Sequence, residues 1–277
     1  MNKLKKILPI LLTATLLLTS ATGCTTTNTT SNTENTTITT TPVTINLFAA
    51  ASLTNALTEL NQKYKDSNPW VSFSTNFAGS GALQQQIENA VPGQVDIFIS
   101  AASAQMNNLQ NKNLLIDSTR KNLLNNNVVL IVPKNSTWNI NSFSDLATAT
   151  NKTLALGAPA SVPAGAYAQE AFELLGIWDA VQTATKIVQF SDVTQVLTAV
   201  ATGNADAGVV YSTDALSNSN VKVIAQAPNE INAKIVYPAA IIKGCNNVET
   251  AQEYIDFLFS NEARAIFEDY GFVIATQ

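Results

Sequence analysis

The sequence predicts an α/β protein of two lobes with a ligand cleft between them, and three observations carry that expectation. Short apolar runs alternate with segments of helical period, the pattern of sheets covered by helices. With residues 1–42 set aside as leader and tether, the 277-residue chain still has length for two modest lobes. Several predicted strands end in small-residue turns that run straight into a helix, and such turns are where α/β proteins bind ligands.

The beginning of the chain reads as an address. Lys3, Lys5 and Lys6 precede the apolar run ILPILLTATLLL, which is short for a transmembrane span, and the small residues Ser20-Ala21-Thr22-Gly23 follow. That order is an export signal over residues 1–23. Its end resembles the lipobox at which bacterial lipoproteins are cut and acylated, so Cys24 is expected to carry the lipid that anchors the protein outside the cell membrane. Residues 24–42 continue as a Thr/Asn-rich stretch without hydrophobic period, ending at Pro42. This stretch reads as a flexible tether.

From Val43 the expected strands are VTINLFAA, VSFSTNFA, VDIFISA, VVLIVP, KTLALGA, AGVVY and VYPAAII, in mainly parallel sheets. Helices are expected over Leu53 to Lys65, Ala82 to Ala90, Ala104 to Asn111, Ala164 to Leu175, Val193 to Thr202, and Val248 to Tyr270 with a break near Ser260. The cluster Asn125-Asn126-Asn127 before a buried strand marks a hinge, and the texture changes again over Ala225 to Ala233. The first lobe is therefore expected to be discontinuous, residues 43–125 plus 228–277, with residues 126–227 forming the second.

Composition removes whole classes of function. The formal charge of -5 and the lack of clustered Lys and Arg argue against a nucleic-acid partner. There is no histidine, which removes Ser-His-Asp and Cys-His nucleophiles and the commonest transition-metal ligand sets. The remaining cysteine, Cys245 beside Gly244, reads as a small packed thiol. Asp96, Asp206 and Asp214 lie near strand ends, but their spacing matches no calcium loop, and capping or surface charge accounts for them. No metal or cofactor is expected, and no catalysis.

The turns carry the chemistry. In FAAASLTNAL and FAGSGALQQQI, Ser52 and Ser80 sit at helix starts, where a hydroxyl and unpaired backbone N–H groups can face an anion. Gly79 and Gly81 would let the backbone approach a ligand closely, while the lysine of a nucleotide-binding P-loop is absent. Pro163 at a first helical position leaves the amides of Ala164 and Gly165 unpaired, Ser191 or Asp192 can cap the helix that begins at Val193, and Tyr211 ends a buried strand with a phenol donor. Each turn alone is an ordinary helix start; it is their repetition on both lobes that points to one anion.

Across residues 43–274 the chain resembles the molybdate-binding proteins of ABC-type uptake systems, which have the type II periplasmic-binding-protein fold. The motifs are FAAASLTNAL, FAGSGALQQQIENAVPGQVDIFISA, VPAGAYAQEA, SDVTQVL, GVVYSTDA and AIFEDYGFVI, in family order. The resemblance implies that molybdate or tungstate is held by the hydroxyls of Ser52, Ser80 and Tyr211 and by the amides of Ala164 and Val193. It further implies separate permease and ATPase subunits as partners, with the chain itself a monomer. Sulfate or another tetrahedral oxyanion is the alternative ligand. An exported lipoprotein enzyme using Ser-Lys chemistry is the remote alternative.

Overall fold

A computed structural model describes residues 41–276. The export signal, Cys24 and nearly all of the tether lie outside the described residues. The chain opens with β1 (Val43–Ala50), whose alternation buries Ile45, Leu47 and Ala49 on one face. A single 3-10 turn at Ala51–Leu53 leads into α1 (Thr54–Ser67). The same plan repeats with β2 (Val71–Ala78) and α2 (Ser80–Glu88), then β3 (Ile97–Ile99) and α3 (Ser103–Asn111), before β4 (Lys121–Asn125).

The middle of the chain builds β5 (Val128–Pro133), β6 (Lys152–Gly157), α4 (Pro163–Leu174), α5 (Trp178–Ala184), β7 (Thr185–Phe190), α6 (Val193–Ala201), β8 (Ala207–Tyr211), α7 (Ser212–Leu216) and β9 (Val221–Gln226). After α8 (Asn229–Asn232), β10 (Val236–Ile241), α9 (Val248–Leu258), α10 (Asn261–Asp269) and β11 (Val273–Ile274) complete the fold. The expected helix break near Ser260 is a true junction, because the Ser260 hydroxyl accepts from the Ala263 amide and caps α10.

These strands form two sheets. One has six strands in the order β11-β4-β10-β3-β1-β2, the other five in the order β7-β6-β8-β5-β9. The first therefore draws on both ends of the described chain and the second on its middle. The chain passes between them at residues 126–127 and again at 227–235. Both sheets are mixed, contrary to the mainly parallel expectation: β10 runs antiparallel to β3 and β4, and β5 antiparallel to β8 and β9. The reason is the crossing itself. A strand entering a sheet from the other lobe follows a short link rather than a helical crossover, so it arrives pointing the opposite way.

The two crossings hold each other. Asn232 Oδ1 accepts from the Val128 amide at 2.9 Å and its Nδ2 donates to the Ala227 carbonyl at 3.0 Å. The Ala227 amide donates to the Val128 carbonyl, and Asn125 Nδ2 reaches the Ile235 carbonyl at 3.1 Å. Each lobe packs helices on its sheet. In the first, Leu83, Ile87, Phe98, Met106 and Leu109 close one side. Among the described residues no helix is long and apolar enough to cross a membrane.

Candidate functional site

Register decides where the turns go. β1 and β2 pair in parallel from Val43 with Val71 through Ala50 with Ala78, so both strands stop side by side and the turns bearing Ser52 and Ser80 emerge together. In the other sheet β6 pairs in parallel with β7 as far as Gly157 with Phe190, which sets the starts of α4 and α6 next to each other. β8 runs parallel to β6 and ends at Tyr211. Five turns from two sheets thus face one another across the cleft.

They meet in one small space of about 200 Å³, open mouth included, lined by Ala50, Ala51, Ser52, Ala78, Gly79, Ser80, Ala101, Val162, Pro163, Ala164, Val193 and Tyr211. All five sequence-expected donor positions are in that lining, and no lining residue carries a charge. Larger crevices lie on the surface, one between α1, α7 and α10 and one that shares Ala51 and Ser52 with this space, but neither contains Ser80, Ala164, Val193 or Tyr211.

The serines are not ordinary helix caps. Neither turn has a side-chain cap hydrogen bond. Ser52 Oγ lies 3.0 Å from the Tyr237 hydroxyl, and Ser80 Oγ, fully buried, accepts from the Ala101 amide at 3.0 Å. A hydroxyl that accepts one such bond keeps its own proton for the space in front of it. Asp192, rather than Ser191, caps α6 by accepting from the Gln195 amide at 2.9 Å. Among the described residues no carbonyl accepts from the amide of Ala164 or of Val193, as expected for first-turn N–H groups, whereas the Gly165 amide, expected to be unpaired, donates to the Val162 carbonyl at 2.9 Å because the chain turns tightly into α4.

Tyr211 is buried, and burial pushes its phenol well above the usual tyrosine value, so it is a neutral donor at any physiological pH. Its hydroxyl donates across the cleft to the Ala101 carbonyl in a long hydrogen bond of 3.4 Å. Tyr237, whose ring packs edge-on against it at 5.7 Å, is likewise held protonated by burial. Asp214, three residues on, accepts from the Tyr211 amide at 3.1 Å. Burial, the largest influence, lifts its carboxyl to about 7 despite that bond, and Asp192 adds to the rise.

Gly79 and Gly81 also serve a purpose that their sequence does not suggest. The Cβ direction of Gly79 points at the Ser191 carbonyl oxygen, 2.6 Å away, and that of Gly81 at Ser161, whose Cα and oxygen would lie at 2.7 Å. The Gly81 amide donates to that Ser161 carbonyl at 2.8 Å. The missing side chains therefore let the two lobes touch backbone to backbone, at the edge of a cavity that Gly79 itself lines.

The aspartates do not gather. Asp96 accepts from the Asn46 backbone and side chain, Asp206 pairs with Lys152 and the Thr153 amide, and Asp214 caps α7. Among the described residues no group of His, Cys, Asp and Glu could hold a metal ion. Sequence reasoning missed Tyr237, Asn126 and Ala101, which adjoin the site. Asn126 carried a turn signal only, Tyr237 sat inside an apolar strand, and alanine carries none.

A family model described as bacterial extracellular solute-binding protein matches residues 45–273. The chain belongs to that family. This solute-binding protein is 41% identical over 230 residues to YvgL of Bacillus subtilis (strain 168), named provisionally as an ABC transporter substrate-binding lipoprotein, covering 83% of this chain and 86% of the relative. It is 38% identical over 234 residues to the molybdate-binding protein ModA of Escherichia coli (strain K12), covering 83% of this chain and 89% of the relative. Its fold is that of the periplasmic molybdate-binding protein of Azotobacter vinelandii, with a TM-score of 0.74 at 20% identity over 84% of this chain and all of the other. The solute-binding protein thus has the two-lobed periplasmic-binding-protein architecture that its sequence predicts.

Proposed function

We propose that the protein captures molybdate or tungstate in the small cavity between its lobes, through the hydroxyls of Ser52, Ser80 and Tyr211 and the amides of Ala164 and Val193, and delivers it to an ABC permease driven by a separate ATPase. The observation that carries this reading is the meeting of five neutral donor positions, from both sheets, in one space whose lining holds no charge. A buried dianion without compensation is costly by several kcal/mol or more. Preorganised amides and hydroxyls supply that compensation without a counter-ion, which also explains how a chain of net charge -5 can bind an anion: local geometry outweighs the overall field.

A site made only of donors also selects. A protonated oxyanion such as hydrogen phosphate sets one of its own protons against a donor, leaving both unpaired. Sulfate escapes that penalty and has to be rejected by size. The protein acts by binding, as a monomer without cofactor, and Cys24 with the Thr/Asn tether keeps it at the outer face of the membrane near its permease; the naming of YvgL as a lipoprotein supports the anchor. Calorimetric titration with molybdate, tungstate, sulfate and phosphate tests the reading. Molybdate and tungstate are expected to bind far more tightly than the other two; sulfate binding as tightly as molybdate would overturn the ligand assignment.

A further inference from the structure

We infer that Asn126 and Tyr237, neither of which lines the cavity, are positioning residues that aim the Ser52 hydroxyl proton into it and so make that position a pure donor. The inference rests on the proposed role of Ser52 as a ligand donor and adds how its direction is set.

The argument is one of proton accounting. Asn126, buried in the link between β4 and β5, has every side-chain hydrogen-bonding position in use. Its Oδ1 accepts from the Asn127 amide at 2.8 Å and from Ser212 Oγ at 3.0 Å. Its Nδ2 donates to Thr213 Oγ1 at 3.0 Å and to the Tyr237 hydroxyl at 3.2 Å. A backbone N–H can only donate, so the Asn127 contact fixes which end of the Asn126 amide is oxygen. The NH2 end must then face Tyr237.

Tyr237 is fully buried in β10. Its hydroxyl accepts from Asn126 and has one proton of its own, and Ser52 Oγ stands 3.0 Å away. If Ser52 donated instead, the phenol proton could turn only to the neighbouring Tyr211 hydroxyl oxygen, with which Tyr237 makes no hydrogen bond as short as the 3.0 Å to Ser52, a poorer arrangement for a buried donor. Tyr237 therefore donates and Ser52 Oγ accepts. The serine's single proton is left for the cavity. Deep burial keeps both Tyr237 and its neighbour Tyr211 neutral, so the direction of the chain does not change with pH in the physiological range.

The same amide reaches both lobes. Ser212 and Thr213, which bond to Asn126, directly follow Tyr211, the donor from the second sheet. Asn126 belongs to the first crossing and Tyr237 to the strand that follows the second, so the two links between lobes converge on the orientation of one hydroxyl. Without this chain Ser52 could rotate and accept, and a protonated oxyanion would no longer be refused there.

The test is a double-mutant cycle read by calorimetry with molybdate and with phosphate, on wild type, Tyr237→Phe, Ser52→Ala and the double variant, with ligand-free melting recorded for each. Tyr237→Phe is expected to weaken molybdate binding on the order of tenfold and to narrow the molybdate-over-phosphate ratio, while adding little once Ser52 is alanine. Additive effects, or a Tyr237→Phe affinity and ratio equal to wild type, overturn the inference while leaving the ligand reading intact. Wild type that fails to bind molybdate overturns the ligand reading itself and the inference with it. Should Tyr237→Phe not fold, Asn126→Asp replaces the NH2 donor with an acceptor and is expected to narrow the same ratio; an unchanged ratio there overturns the inference.

Discussion

Replacing Gly81 with alanine should separate closure from folding. The new Cβ would lie 2.7 Å from both the Cα and the carbonyl oxygen of Ser161, where ordinary contact begins near 3.4 Å, so the facing backbones must part by 3.4 minus 2.7, or 0.7 Å. Overpacking of that kind costs about 1–3 kcal/mol, and the cross-lobe bond from the Gly81 amide to Ser161, now 2.8 Å, adds roughly 0.5–1.5 kcal/mol when stretched or broken. Only the form in which the lobes touch bears this cost. An affinity loss of about 1.5–4.5 kcal/mol, roughly 10- to 1,600-fold in Kd for molybdate, is therefore expected, with the ligand-free melting temperature close to wild type. Calorimetric titration and thermal melting of Gly81→Ala measure the two quantities. An unchanged Kd accompanied by a lower ligand-free melting temperature would mean that the contact exists equally without ligand, and would refute the reasoning.

Three further outcomes are expected. Ser80→Ala removes a donor and also leaves the buried Ala101 amide without the acceptor it now has at 3.0 Å, so molybdate affinity should fall at least tenfold, about 1.5–3 kcal/mol; unchanged affinity would remove Ser80 from the site. Asp214, raised by burial from 3.8 to about 7, binds more protons folded than unfolded between those values, so stability should decline as pH rises through that window, on the order of 2 kcal/mol or more. Urea midpoints at pH 5 and 8 should show the decline in wild type and its loss in Asp214→Asn; a slope that survives the substitution points to another group. Burial, aided by Asp96, pushes the Cys245 thiol up to about 12, so peptide-resolved alkylation at pH 8 should be at least about 100-fold slower in the folded protein than after unfolding, and equal rates would contradict that environment.

Much of the fold was legible because it is written in local patterns. Alternation in VTINLFAA, the Pro163 start of α4 and the Asp192 cap of α6 are each dictated by neighbours in the chain, and those elements form as expected. Shorter or less periodic pieces were not legible. β4, β7, β9 and β11, and the short helices α5, α7 and α8, owe their shape to partners supplied by other parts of the chain. VKVIAQ becomes a strand because β5 lies beside it, and a two-residue strand such as β11 exists only as an edge on β4.

The candidate site divides along the same line. The residue types, neutral hydroxyls and first-turn amides at repeated strand-to-helix turns with no histidine near them, are fixed by the sequence alone, since helix ends leave unpaired N–H groups wherever they occur. Their convergence was decided by sheet register, which brings Ala50 beside Ala78 and Gly157 beside Phe190, pairs of positions that no local pattern links. Tertiary structure also decided direction. Only when two distant crossings place Asn126 against Tyr237, and Tyr237 against Ser52, does a serine able to donate or accept become a donor aimed at the cavity, and only when the lobes meet do Gly79 and Gly81 show that their lost side chains make room for the opposite lobe.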